Sequence, residues 1–337
     1  MAKIGMIGAG SWASALTYEL TRKGHEVNIW SISQEEVDLI NEDHEQRVKL
    51  PGVKFPESVR ASRDLGKIIQ GKDLLILAVP SSFVRSTAKS MSPFVKPGQR
   101  IVSVAKGLEE DTLLTLTQII EEEIPSCRTI VLSGPTHAEE VGKGMPTAIV
   151  AGAKKKEDAL YVQDIFMSEV FRVYTSSDVL GMQIGGALKN VVALASGAAD
   201  GLGYGDNTRA ALITRGITEI SRLGMAMGGR KETFYGLTGI GDLIVTCSSM
   251  HSRNRRAGIL IGKGKTPEEA MNEVQQVVEG VYCTKAAHQL SLKYQVETPI
   301  IDQVWQVLKE GKNPCDAVKD LMLRDRKIEA NELEWKE

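Results

Sequence analysis

The tightest constraint on this chain sits near its N-terminus, in Lys3-Ile4-Gly5-Met6-Ile7-Gly8-Ala9-Gly10-Ser11-Trp12-Ala13-Ser14-Ala15-Leu16. An apolar run, a glycine turn and a helical pattern follow one another there, so the stretch reads as strand, tight turn and helix start. Gly8 permits the turn, and Gly10 removes a side chain so that backbone can approach a pyrophosphate. Ala13 stands where only close helix–strand packing is asked of the residue. The helix beginning near Ser11 then aims free N–H groups and its positive end at an anion. G-x-G-x-x-G/A spacing between a strand and a helix is the pattern of a dinucleotide-binding loop.

The residues beyond the loop continue the alternation such a loop requires. Glu26–Trp30 and residues 73–79, 100–105, 128–132, 147–152 and 171–175 read as strands, with helical patterns between several of them. Lys23-Gly24 looks like a helix end, Ser81-Ser82 like a helix cap, residues 37–60 like a helix followed by an exposed loop, and residues 112–123 like an amphipathic helix. Strands alternating with helices predict a doubly wound, mostly parallel sheet, with ligands at the carboxyl ends of its strands. Lys106, Gly134 and Thr136 fall at such ends.

From Asp178 onward strand-like runs largely vanish. Residues 179–199 and 207–227 form long helical patterns, while Thr266-Pro267-Glu268-Glu269, Thr298-Pro299 and Asn313-Pro314 are helix starts. The expected fold is α/β: an N-terminal Rossmann-type doubly wound sheet followed by an all-helical C-terminal domain. The boundary should fall near 180–190, dividing a dinucleotide-binding domain (1–185) from a helical substrate and dimerisation domain (186–337).

Composition bounds the partners. With 337 residues, 42% hydrophobic and 25% charged, the chain is of soluble, globular type, and with a net charge of -2 nothing argues for a nucleic-acid or membrane surface, though a local basic pocket stays open. No uninterrupted apolar run approaches a spanning length, and no secretory leader is expected. Cys127, Cys247, Cys283 and Cys315 are far apart and read as reduced thiols, and the histidines lack ligand spacing, so no metal is expected and the cytoplasm is the default compartment.

Two lysines could carry proton chemistry. Lys189 lies in Ile184-Gly-Gly-Ala-Leu-Lys-Asn-Val-Val192, a cation among glycines and apolar residues whose burial would lower its pKa toward that of a general acid/base. Lys106 lies within reach of the same crevice. Asp242 reads as a carboxylate that orients a lysine or accepts a substrate hydroxyl. Ser252, Arg253 and Asn254 offer adjacent hydroxyl, guanidinium and amide donors suited to a phosphate. Gly239-Ile-Gly241 is not read as a second phosphate loop, because no strand leads into it. After the second strand the chain runs Ser31-Ile32-Ser33-Gln34-Glu35-Glu36, with no cation before Arg47 to suit a 2′-phosphate, a modest lean toward NAD(H) over NADP(H).

Six segments in order carry a resemblance over essentially the whole chain: Gly8-Ala-Gly-Ser-Trp12, Ser103-Val-Ala-Lys-Gly-Leu-Glu109, Gly134-Pro-Thr-His-Ala-Glu-Glu140, Ala187-Leu-Lys-Asn190, Leu237-Thr-Gly-Ile-Gly-Asp242 and Ser252-Arg-Asn254. Together they resemble bacterial NAD(P)-dependent glycerol-3-phosphate dehydrogenase. The resemblance implies a Rossmann domain plus a helical domain and a homodimer that interconverts dihydroxyacetone phosphate and sn-glycerol 3-phosphate for phospholipid synthesis. It implies that Gly8, Gly10, Ser11, Trp12, Lys106, Ala138, Arg253, Val277 and Glu279 line the cofactor. Lys106, Gly134, Thr136, Lys189, Asp242, Ser252, Arg253 and Asn254 would hold the small phosphorylated substrate, with Lys189 the proton acceptor assisted by Lys106 and Asp242. Many relatives resemble Trp-x-Arg after the second strand, where this chain has Trp30-Ser31-Ile32. Two rival readings are a dehydrogenase of carboxylated hydroxy acids and a non-catalytic dinucleotide sensor.

Overall fold

The structure is a computed structural model that describes residues 1–326 together with Ile328 and Glu329. Its N-terminal half is an eight-stranded sheet in the order β3-β2-β1-β4-β5-β6-β7-β8. The elements are β1 (Lys3–Ile7), α1 (Ser11–Arg22), β2 (Glu26–Trp30), α2 (Gln34–Asp38), β3 (Arg60–Ser62), α3 (Leu65–Ile69), β4 (Leu74–Leu77), α4 (Val84–Met91), β5 (Arg100–Ser103), α5 (Leu116–Glu123), β6 (Arg128–Ser133), α6 (Ala138–Val141), β7 (Thr147–Ala153), α7 (Lys156–Phe166) and β8 (Phe171–Ser176). Strands β1 to β6 run parallel, as their helical crossovers demand, whereas β7 pairs antiparallel with β6 and parallel with β8. The last two strands therefore reverse the direction of the first six. The four residues of β4 are all buried, which explains their unbroken Leu-Leu-Ile-Leu sequence.

Three local readings are corrected. Residues 37–60 are a helix end and a loop as expected, with α2 passing into a π-helical turn, Leu39–Asp43, closed by His44 at φ 51°, but the loop is not simply exposed, since it buries Leu50, Val53, Phe55 and Val59. The chain then returns to the sheet as the three-residue β3, too short to announce itself by alternation. Residues 112–123 are helical only from Leu116. Leu113 is left-handed at φ 62°, and Thr115 and Gln118 form a reciprocal capping box that starts the helix there. The Ser81 hydroxyl does not cap a helix but is used elsewhere, as described below.

The C-terminal half is helical: α8 (Val179–Gly201), α9 (Asp206–Ala226), α10 (Lys231–Phe234), α11 (Asp242–Ser248), α12 (Arg253–Gly262), α13 (Pro267–Val274), α14 (Glu279–Tyr294), α15 (Pro299–Lys309) and α16 (Pro314–Met322). Helix α8 is the axis of this half. It is long and apolar enough to cross a membrane by length and composition, which qualifies the sequence expectation, but 83% of its apolar window is buried inside the protein. Polar links join it to the sheet layer: the Thr117 N–H donates to Gln183 Oε1 at 3.0 Å, and Gln183 Nε2 returns a bond to Thr117 Oγ1 at 2.8 Å. Helix α15 begins at Thr298-Pro299 as its sequence suggests, yet its free N–H groups are taken by the buried Glu219 carboxylate of α9, at 2.9 Å from Ile300 N.

Helix α12 packs on α8 at backbone distance. A Cβ added to Gly258 would lie 2.1 Å from the Leu194 carbonyl oxygen, so only glycine lets these axes approach. Because that neighbour is backbone and cannot swing aside, Gly258→Val should lower unfolding free energy by roughly 1–3 kcal/mol in urea denaturation, the usual cost of overpacking. Unchanged stability would contradict the packing described.

Candidate active site

The carboxyl ends of β1, β4, β5 and β6 form one rim, and the first group on it is the glycine loop. Gly8 adopts φ 120°, and its own N–H donates to the Trp30 carbonyl at 2.9 Å, which fixes the loop against the end of β2. Gly10 is the N-cap of α1 and brings no side-chain cap, and a Cβ built there would meet nothing within 4 Å. The first-turn N–H groups at Ser11 and Trp12 thus face open space without a side-chain partner, a cradle that suits a pyrophosphate. Buried Gln46 steadies the loop by donating Nε2 to the Ala9 carbonyl at 3.0 Å.

At the centre of the rim, Lys106 lies three residues beyond β5 and Gly134 directly follows β6. Lys106 Nζ donates to the Gly134 carbonyl at 2.8 Å and to Asp242 Oδ2 at 2.7 Å. From the opposite side, Lys189 in the middle of α8 donates to Asp242 Oδ1 at 2.5 Å and to Thr246 Oγ1 at 2.7 Å. Thr246 lies one turn along α11 from Asp242 and passes its own proton back to the Asp242 carbonyl at 2.6 Å. One carboxylate therefore bridges two ammonium groups from different layers. Each ammonium has three N–H donors and spends two on protein, which leaves one apiece for a substrate oxygen.

Burial sets the electrostatics. Lys189 is 5% exposed and Asp242 1%. Desolvation is the largest influence on Lys189 and pushes its pKa down to about 7. Asp242 pulls the other way, and the neighbouring Lys106 adds to the depression. A lysine so placed can both give and take a proton near neutrality.

A second group of polar donors lies at the start of α12. Ser252 is its N-cap, its Oγ accepting the Arg255 N–H at 3.2 Å. The Arg253 guanidinium makes no hydrogen bond or ion pair among the described residues. Water reaches it, yet protein crowds it enough to push its pKa below the usual arginine range, against the pull of Glu279 and Glu139. Asn254 is buried and committed to structure: its Nδ2 donates to Asn190 Oδ1 at 2.9 Å and its Oδ1 accepts the Gly280 N–H at 2.8 Å. Of the three donors expected for a phosphate, Arg253 is the one left wholly available. Thr136 turns its hydroxyl to the Gly134 carbonyl at 3.1 Å, and Ala138 opens the short α6.

Glu279 crosses between layers. Its carboxylate accepts the Ser81 N–H at 3.0 Å and the Ser81 hydroxyl, and burial raises its pKa while Ser81 lowers it. Val277, half-buried in the loop before α14, lies two residues away. Sequence reasoning missed Thr246, Asn190 and Ser81 as parts of this site. The i, i+4 spacing from Asp242 could have flagged Thr246. Ser81 carries no local signal, since its partner is 198 residues distant.

A glycine loop open to an anion, together with a dry lysine that a shared carboxylate steadies across the layer boundary, is the equipment of a dinucleotide-dependent dehydrogenase. Comparison with known proteins agrees and narrows the class. Residues 3–159 match the family description "NAD-dependent glycerol-3-phosphate dehydrogenase N-terminus", and residues 178–319 match its C-terminus. Curated relatives named Glycerol-3-phosphate dehydrogenase [NAD(P)+] include one from Agathobacter rectalis, 60% identical over 336 residues and covering 100% of both chains. Another, from Fusobacterium nucleatum subsp. nucleatum, is 57% identical over 98% of this chain and 99% of its own. The crystal structure of glycerol-3-phosphate dehydrogenase from Coxiella burnetii superposes with a TM-score of 0.92 at 37% identity, over 96% of this chain and 99% of that one. The chain belongs to the NAD-dependent glycerol-3-phosphate dehydrogenase family.

Breaking the bridge has a defined cost. Asp242→Asn leaves two ammonium groups facing each other with no counter-charge. Loss of one partner from a buried pair typically costs about 3–5 kcal/mol, so urea unfolding should show a drop of that order. A stability within about 0.5 kcal/mol of wild type, the ordinary range for surface changes, would contradict the shared-carboxylate arrangement.

Proposed function

We infer that this protein interconverts dihydroxyacetone phosphate and sn-glycerol 3-phosphate with NAD(H) or NADP(H), and that Lys189 is its proton donor and acceptor. The observation that carries the reading is the dry Lys189 ammonium, held at 2.5 Å by Asp242 beside the rim of the sheet. Residues 8–13, including Ser11 and Trp12, together with Ala138, Val277 and Glu279, would hold the nicotinamide cofactor, which would supply or accept the hydride at the substrate carbon.

The chain's own groups do the rest. Arg253, with the α12 N-terminus and Ser252, binds the substrate phosphate, and Gly134, Thr136 and Asn254 line its path. The third N–H of Lys106 holds an oxygen of the substrate. In the reducing direction the carbonyl carbon gains a hydride and its oxygen takes a proton from Lys189, so Lys189 ends neutral and the alcohol is complete. In oxidation, neutral Lys189 takes the hydroxyl proton as the hydride leaves. Asp242 and Thr246 fix the direction of the Lys189 nitrogen throughout.

The division of labour follows the layers: residues 1–185 bind the dinucleotide, while residues 186–337 bring Lys189, Asp242 and Arg253. The reading extends to a cytoplasmic homodimer that supplies glycerol 3-phosphate for phospholipid synthesis, supported by the family resemblance and by four free cysteines, which suit a reducing compartment.

An initial-rate series with dihydroxyacetone phosphate and each reduced cofactor tests the function directly, and turnover with neither would end it. Lys189→Met should lower kcat by about 10²–10⁴, the usual worth of a positioned general acid, and a near-normal kcat would refute the assignment. Because reduction needs charged Lys189, kcat/KM for dihydroxyacetone phosphate should fall as pH rises through about 7, whereas kcat/KM for glycerol 3-phosphate oxidation should rise across the same range. Parallel profiles in the two directions would contradict the role. Arg253→Ala should chiefly raise the KM for dihydroxyacetone phosphate. A lost charge-assisted bond is worth roughly 1.5–3 kcal/mol, or about 10- to 150-fold.

A further inference from the structure

The end of β2 is where a dinucleotide-binding sheet normally meets the adenosine ribose, and where a carboxylate suits a free 2′-hydroxyl while a cation suits a 2′-phosphate. In this chain that corner is built from residues distant in sequence. Trp30, the last residue of β2, is tied to the glycine loop by the Gly8 N–H. Ser31 is buried, accepts the Ser33 N–H at 3.1 Å, and donates its hydroxyl to one oxygen of Glu36 in the first turn of α2. The other Glu36 oxygen pairs with the Lys49 ammonium. Lys49 sits in a turn closed by the Leu50 N–H on the Gln46 carbonyl at 2.8 Å, and it is Gln46 that grips Ala9 of the glycine loop. Two independent tethers, one through Ser31 and one through Gln46, therefore hold the Glu36–Lys49 pair beside the cofactor loop.

We propose that the Glu36 carboxylate, fixed by Ser31 and Lys49, is the group that selects the cofactor, and that it makes this chain favour NAD(H) over NADP(H). This rests on the reading that residues 8–13 hold the dinucleotide. A carboxylate has about four acceptor positions, and Ser31 and Lys49 occupy two, so a ribose hydroxyl finds a ready acceptor. A 2′-phosphate finds the two nearest cations of this segment, Lys49 and Arg47, already paired with carboxylates. Ile32, directly after Ser31, is apolar and 75% exposed. The Lys49 ammonium is engaged by Glu36, and Arg47 is paired with Asp43 at 2.7 Å. Arg63, after the neighbouring β3, is held near Trp30 through its backbone, its carbonyl accepting Trp30 Nε1 at 3.0 Å, and its exposed guanidinium makes no hydrogen bond or ion pair among the described residues, so the selection is assigned to the Glu36 carboxylate and not to a want of cations. To enter, the phosphate would have to separate Lys49 from Glu36 and then lie against a carboxylate of its own sign.

The test is an equilibrium titration of NADH and of NADPH into the intact protein, followed by nicotinamide fluorescence, alongside initial rates with dihydroxyacetone phosphate. Wild type should bind NADH about tenfold or more tighter than NADPH, the ratio that one charge-assisted contact supplies. Glu36→Gln frees Lys49 and should narrow the ratio, mainly by tightening NADPH. Lys49→Met leaves Glu36 unopposed and should widen it. Ile32→Arg, at an exposed position where folding is not at stake, should tighten NADPH as well. NADPH binding as tight as NADH in wild type would overturn the proposal, and so would an unchanged ratio in both Glu36→Gln and Ile32→Arg. Selective NADH binding without turnover of dihydroxyacetone phosphate would support the selector while overturning the substrate assignment. Binding of neither cofactor to the folded protein would overturn both.

Discussion

A carboxylate with almost no exposure, shared between two ammonium groups, is the interaction on which the rest of this structure depends. Asp242 comes from α11, Lys189 from α8 and Lys106 from the end of β5, so the bridge forms only when the helical half is seated on the sheet. Each charge would be costly to bury alone, and their pairing with further bonds to Thr246 and Gly134 makes the burial tolerable. The same burial that costs stability gives Lys189 its chemistry. In water a lysine holds its proton far above neutrality, while here desolvation outweighs the attraction of Asp242.

Around that centre the protein uses one device twice. Helix α1 and helix α12 each begin at the cleft, and a helix start is an anion site because its first N–H groups lack partners within the helix. At α1 the N-cap is Gly10, whose missing side chain leaves the N–H groups open. At α12 the N-cap is Ser252, and the guanidinium of Arg253, unpaired among the described residues, adds a full charge. The first suits the bridging pyrophosphate of a dinucleotide and the second a terminal phosphate. The Lys189–Asp242–Lys106 bridge is the third component, and contacts such as Ser81 with Glu279 and Thr117 with Gln183 keep the layers in register.

Much of this was legible in the sequence where local chemistry dictates structure. The glycine loop, the buried β4, the Thr266 capping box and the helix starts at Pro299 and Pro314 all appear where their residues place them. Reading faltered where a distant partner decides. Nothing near Ser81 announces that Glu279 will claim its hydroxyl, and nothing near Gln46 announces its grip on Ala9. The three residues of β3 are too few to show alternation, and the reversal of β7 relative to β6 depends on pairing rather than on either strand's composition. Lys189 could be singled out from its apolar neighbours. That Asp242 serves it and Lys106 together, rather than merely orienting one lysine, required the fold.

The most direct test of the central claim is the titration of Lys189 itself. With lysine labelled at ¹³Cε, the resonance that disappears in Lys189→Arg can be followed with pH in the free enzyme. A midpoint near 7 is the result predicted by a dry ammonium balanced between Asp242 and Lys106. A midpoint in the ordinary lysine range, about 10, would show that the group stays charged at neutrality and would contradict the account.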